Sequence, residues 1–196
     1  MTTTLIQQRI QNKICTQMDI GNRDLSDVYY NLFFEVQDLL RERPLTIGLD
    51  AAFATRLQTA LTTDQNEDLA FICGPSVEGI QMTASFLKCH ETNRTVGSAS
   101  LDAASTSRAF VKIRDEGYNC FLVGHSHPGF GIGSTLPSKT DMDWIGDLQE
   151  GGAQVVGVIV NRDGYFRFFT KSVPFNVITY GRRIKQEEEH VFKLQS

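Results

Sequence analysis

Gly124-His125-Ser126-His127-Pro128, followed by Leu136-Pro137-Ser138-Lys139-Thr140-Asp141, organises the rest of the chain. The residues just ahead of it, Tyr118-Asn119-Cys120-Phe121-Leu122-Val123, are a short apolar run that reads as a buried strand. Side chains alternate faces along a strand, so His125 and His127 project from one side and Ser126 from the other. Pro128, with glycines at 129, 131 and 133, then ends the strand and opens a loop. Regular structure restarts at Ser138. Ser-x-x-Asp ahead of Met142-Asp143-Trp144-Ile145 predicts a helix with Ser138 at the N-cap and Asp141 one turn in.

A loop from strand end to helix start can fold Asp141 back beside the two imidazoles. Two histidines and one carboxylate, with a fourth position left to water, are the ligands of a catalytic rather than a structural zinc site. Asp143 is the rival ligand, but it sits about 200° round the helix from Asp141, so only one of them can face a metal. Two blander readings compete. Histidine pairs also occur on surfaces that bind nothing, and Ser138 with Asp141 can be a capping box alone. The strand context and the glycine- and proline-rich loop weigh for the metal.

The pattern resembles the JAMM motif of the MPN/JAB-domain metallopeptidases: His-x-His-Pro, a loop, then Ser-x-x-Asp. That family's site also contains a glutamate far upstream, in Glu-x-x-small-x-x-x-Gly just before a central strand. Glu67-Asp68-Leu69-Ala70-Phe71-Ile72-Cys73-Gly74 stands in that register and in the right order. The segment between Pro128 and Ser138 is longer than the family's commonest spacing, which bears on the substrate groove rather than on the ligands. The resemblance covers about residues 45–180. It implies a JAB/MPN domain over 45–196 with a cytidine-deaminase-like α/β fold, a central mixed sheet flanked by helices, and a helical N-terminal extension over 1–44.

The resemblance also implies roles. His125, His127 and Asp141 would hold Zn2+, which lowers the pKa of a water from ~15.7 to ~7 and makes hydroxide available. Glu67 would take a proton from that water and pass it to the departing amine. The Ser138 hydroxyl would donate to the oxygen that gains charge as the carbonyl becomes tetrahedral, a contact typically worth ~3–4 kcal/mol. Ser126 points away from the histidines, so a serine–histidine scheme is rejected. JAMM enzymes cleave isopeptide or peptide bonds after the C-terminal glycine of ubiquitin or ubiquitin-like proteins, whose tail lies beside a sheet edge. Compact bacterial members accompany E1-like and E2-like proteins in antiphage conjugation systems, and the short Pro-Ser-x-x-Asp form looks like that deubiquitinase-like group. The expected partners are a ubiquitin-like protein and its conjugates, with E1-like and E2-like proteins of the same system. Two other readings stay open: a catalytically silent MPN scaffold, and a zinc hydrolase acting on a different amide.

Composition sets bounds around this. A chain of 196 residues suits one domain with a substantial core. The net charge of −4, with no basic stripe, speaks against nucleic acid as a partner. No run approaches the ~20 apolar residues of a membrane span. Nothing at the N-terminus reads as a signal peptide, and Cys15, Cys73, Cys89 and Cys120 show no Cys-x-x-Cys spacing. A cytoplasmic protein with reduced thiols is therefore expected, with Cys73 and Cys120 as packing residues.

Residues 4–18 are weakly patterned for a helix. Asp24-Leu25-Ser26-Asp27 leads into a stronger one with Tyr29, Leu32, Phe33, Val36 and Leu40 on one face, closed by Arg41, Arg43 and Pro44. That face covers its own domain or a partner. Further on, 45–49 reads as a strand, and Asp50 caps a helix with Phe53, Leu57, Ala60 and Leu61 on one side. A strand over 69–73 is followed by its antiparallel neighbour over 78–89, and then by a polar loop over 91–100, a region that in this family often lies near bound substrate. Residues 105–116 predict a helix that packs Phe110, Val111 and Ile113 on the sheet. Gly151-Gly152 ends the helix begun at Ser138. Two strands, 154–160 and 165–169, flank the turn Asn161-Arg162-Asp163-Gly164. Residues 173–178 are extended, Arg182-Arg183 and Glu187-Glu188-Glu189 suit a solvated face, and His90 and His190 read as surface residues without partners.

Overall fold

A computed structural model of the chain describes residues 44–89, 93–95, 98–100 and 103–195. The chain divides into two units, residues 1–44 and 45–196. The two helices expected before residue 44, like Cys15 and His90, lie outside the described residues.

β1 (Leu45–Asp50) runs straight into α1 (Ala51–Leu61), because Asp50 keeps an extended backbone while its carboxylate accepts from the Phe53 N–H at 2.9 Å. Phe53, Ala54, Leu57 and Leu61 are buried along one side of α1. β2 (Leu69–Gly74) is buried at every position.

The single strand expected over 78–89 is instead β3 (Ser76–Val77), β4 (Ile80–Met82) and β5 (Ser85–Lys88). Only β5 pairs with β2; β4 crosses to β1 in a second sheet. Thr83 makes the change of sheet. Buried between the two strands, its hydroxyl donates to Gly48 O at 2.9 Å and accepts from Asp50 N at 3.2 Å. Within the stretch expected as a loop, β6 (Asn93–Thr95) and β7 (Ser98–Ser100) pair as a hairpin.

α2 (Ala103–Asp115) buries Ala109 and Ile113. Val111, expected against the sheet, is exposed, since it lies about 200° round the helix from both of them. β8 (Asn119–His127) is longer than its apolar run and carries both histidines within the strand. A 3-10 turn at Ile132–Thr135, α3 (Lys139–Glu150), β9 (Val156–Asn161) and β10 (Tyr165–Phe169) follow.

β11 (Phe175–Tyr180) then runs parallel to β1. The charged tail is no bare solvated face: β12 (Ile184–Glu188) and β13 (Val191–Leu194) form a hairpin that buries Val191 and Phe192. Its turn holds His190 at a φ of +57°, with the ring 4.3 Å from that of Phe175, so His190 has a partner after all.

The larger sheet has seven strands in the order β12-β13-β10-β9-β8-β2-β5, and the smaller has the order β11-β1-β4-β3. In the larger sheet β8 and β9 are parallel and the other pairs antiparallel. The result is the expected α/β arrangement, a central mixed sheet flanked by helices. Strand alternation sorts the core in two. Ala70, Ile72, Leu122, Val158 and Val160 pack with α1 on one face. Leu69, Phe71, Val123 and Ile159 pack with Ala109 and Ile113 of α2 and Ile145 of α3 on the other. Burying each of the larger of these side chains is worth roughly 1.5–3 kcal/mol.

Cys73, Cys89 and Cys120 are free thiols, and burial pushes the Cys73 thiol up to about 11, in keeping with a packing role. No helix among the described residues is long and apolar enough to cross a membrane.

Candidate metal centre

Parallel neighbours require a crossover, and the one between β8 and β9 consists of the glycine-rich loop and α3. It carries the site. Val123, His125 and His127 form one row along β8, on the face that α3 covers. Ser126 points the other way, and its hydroxyl accepts from Asp68 N at 2.9 Å while its own N–H donates to Asp68 O at 2.9 Å. Ser126 is thus a clamp between β8 and β2. The clamp sets where Glu67 falls: with Leu69 opposite His125 in antiparallel register, residue 67 comes opposite His127. Glu67 Oε1 lies 3.9 Å from His127 Nε2, with the glutamate side chain only 11% exposed.

Asp141 arrives from α3. Ser138 is the N-cap, and a complete capping box forms: Ser138 Oγ accepts from Asp141 N at 3.2 Å, and Asp141 Oδ2 accepts from Ser138 N at 2.7 Å. The same carboxylate faces the histidines, with Oδ1 3.2 Å from His125 Nε2 and Oδ2 3.7 Å from His127 Nε2. The two histidine Nε2 atoms are 3.1 Å apart. Asp143, the rival ligand, is exposed on α3.

His127 Nδ1 lies 2.7 Å from the Ser134 carbonyl, which can only accept. The ring's proton therefore sits on Nδ1, and Nε2 presents a lone pair to the cluster. Burial, and then His125, hold the His127 imidazole below its ordinary value, which keeps it neutral. Burial alone would push Asp141 up, but the hydrogen bond and charge of His125, with the Ser138 contacts, hold it well below the usual carboxylate range. Glu67 goes the other way: burial pushes its carboxyl up to about 7, against the pull of His125 and with the help of Asp141.

His125, His127 and Asp141 form a group that can hold a metal ion, their ligand atoms all within 4.8 Å of one another. Their spacing tests the fit. Two ligands at 2.0–2.1 Å from a tetrahedral zinc lie roughly 3.3–3.4 Å apart; two of the three pairs here are at 3.1 and 3.2 Å, and the third, His127 to Asp141, is wider at 3.7 Å. Imidazole nitrogen and carboxylate oxygen are also donors that zinc takes.

The centre has supports that sequence reasoning missed. The Phe169 ring stands edge-on to His125 at 6.4 Å and lies across Gly157, the residue opposite it in β9. Asn161, expected as a turn residue, is wholly buried and bonded to the loop that bears Ser134. An Asn-x-Asp-Gly signal gives the turn but not this second use.

No protein-family model matches the chain, and no curated protein matches it. Among solved structures it is similar to a protein of Desulfitobacterium hafniense determined in solution. That similarity has 13% identity over 69% of this chain and 94% of the other, with a TM-score of 0.51. It is also similar to a JAB1/MPN domain protein from Archaeoglobus fulgidus, at 13% identity over 69% of this chain and 99% of the other, with a TM-score of 0.40. At such identity the likeness to the first is one of fold.

Proposed function

We propose that this chain is a zinc-dependent peptidase of the JAMM type that cleaves after the C-terminal glycine of a ubiquitin-like protein. The observation that carries this reading is the convergence of His125, His127 and Asp141, with Glu67 brought opposite His127 from a distant strand. His125, His127 and Asp141 would hold the zinc. When bound, zinc supplies Lewis acidity, lowering the pKa of a water and polarising a carbonyl oxygen.

The chain's own residues do the rest. Glu67, opposite His127 and largely buried, stands where it can accept a proton from water and return it to the leaving amine. The capping bond uses the Ser138 oxygen as an acceptor, which leaves its hydrogen to donate to a developing oxyanion. Among the described residues β5 is an edge of the larger sheet, which can offer backbone groups to an extended tail. The substrate class follows from the JAMM resemblance, and with it come E1-like and E2-like partners in a bacterial antiviral conjugation system.

The test is cleavage of a ubiquitin-like protein extended beyond its terminal glycine. The zinc-loaded chain should release the extension, and Glu67→Gln should slow it by about 10²–10⁴-fold while keeping its zinc. An unchanged rate in Glu67→Gln would remove the proposed base. Cleavage confined to unrelated small amides would point to another hydrolase.

A further inference from the structure

Asn161 ends β9 directly across from His127 in the parallel register of β8 and β9. It is 0% exposed, and a buried amide is costly unless each of its polar atoms is used. Here they are. Oδ1 accepts from Tyr165 N at 3.0 Å, across the turn into β10. Nδ2 donates to Gly131 O at 2.8 Å and to Ser134 Oγ at 2.9 Å. Ser134 Oγ in turn donates to Gly131 O at 2.9 Å, which closes a small ring of bonds over the loop. The Ser134 carbonyl then receives the Nδ1 proton of His127. Neighbouring contacts brace the same loop: Asp163 accepts from Gly131 N, and Arg167 Nε donates to Thr135 Oγ1 at 3.1 Å.

We propose that Asn161 is the positioning residue of the metal centre, holding the Gly131–Ser134 segment where the Ser134 carbonyl fixes the tautomer and ring orientation of His127. This rests on reading His125, His127 and Asp141 as metal ligands, and it adds the element that makes one of them a preset donor. Partners one bond removed from a ligand typically contribute 10–100-fold in metal affinity. Asn161 acts one step further out, through the two donations of its Nδ2.

The test compares two substitutions on opposite sides of the same turn. Asn161→Asp keeps the acceptor for Tyr165 N and loses both donations to the loop. Gln58→Ala removes a side chain of α1 whose Nε2 donates to Arg162 O at 3.0 Å and to Asn161 O at 3.4 Å, without touching the loop. Zinc affinity is read by competition with a chromophoric chelator, and ligand geometry by the visible spectrum of the cobalt-substituted chain. Asn161→Asp should bind zinc about 10-fold or more weakly and shift the cobalt spectrum. An added carboxylate would by charge alone tighten cation binding, so a loss reports positioning. Gln58→Ala should lower the melting temperature with zinc affinity and cobalt spectrum unchanged.

If Asn161→Asp does not fold, Ser134→Ala decides. It deletes one acceptor of the Asn161 amide, leaves the carbonyl, and should show a smaller loss in the same direction. Equal zinc affinity in Asn161→Asp or Ser134→Ala and the parent chain would overturn the proposal. So would losses that merely track the fall in melting temperature across all variants. A parent chain that binds neither zinc nor cobalt would sink the metal reading itself, and this proposal with it.

Discussion

The two oxygens of Asp141 have different duties: Oδ2 accepts the Ser138 N–H that closes the helix cap, and Oδ1 faces His125. In the sequence these look like competing explanations of one residue, a cap or a ligand. The geometry makes them one arrangement, because the cap is what aims the carboxylate. Glu67 is the opposite case, unremarkable by composition and given meaning by its register. Its burial has a consequence for the metal-free chain. The folded state raises this carboxyl from 4.5 to about 7, so folding binds a proton more tightly than the unfolded chain does. Between those two values the stability of the metal-free chain falls as pH rises, and above about 7 the folded chain carries the full cost of the buried charge. Glu67→Gln should therefore melt higher than the parent at about pH 8, and the gap should close below about pH 4.5. Melting curves of both chains after metal removal check this; a gap independent of pH would contradict it.

Among the elements, β9 shows how small a change can disturb the site. A Cβ on Gly157 would come within 2.3 Å of the Phe169 ring, the ring that stands edge-on to His125. Gly157→Ala forces that ring to move, and overpacking of this kind costs about 1–3 kcal/mol. Urea unfolding should show a loss of that size, and none if the ring finds room elsewhere. Element identity was legible where one pattern served one partner. β2, β8 and β9 are apolar runs buried on both faces, and Asp50 and Ser138 cap as their side chains dictate. It failed where a strand changes partner. Ile80, Met82, Phe86 and Leu87 form one apolar series in sequence, but the break at Thr83 depends on Gly48 O and Asp50 N, which belong to a strand more than thirty residues earlier. The β12–β13 hairpin was hidden for a different reason. Its turn uses His190 in the left-handed region, where a glycine or asparagine would have announced it.

At the level of the molecule, the parallel pair β8–β9 is the organising feature. Because the chain must cross over between them, the loop and α3 are forced to the end of β8, where both histidines emerge. The antiparallel pairing of β2 with β8 brings Glu67 to the same end from the other side. The separated pieces of the motif were readable because each sits where a strand or helix begins or ends, positions that local chemistry marks. The scaffold that holds them was not, since Asn161 and Phe169 work through contacts that no local pattern encodes. The proposed chemistry needs the three converging side chains to bind a metal and Glu67 to stay off it. Elemental analysis of the purified chain decides this. Stoichiometric zinc is expected in the parent and in Glu67→Gln, and its loss in His125→Ala and in Asp141→Asn. Zinc absent from a folded parent chain, or retained in full by Asp141→Asn and His125→Ala alike, would contradict it.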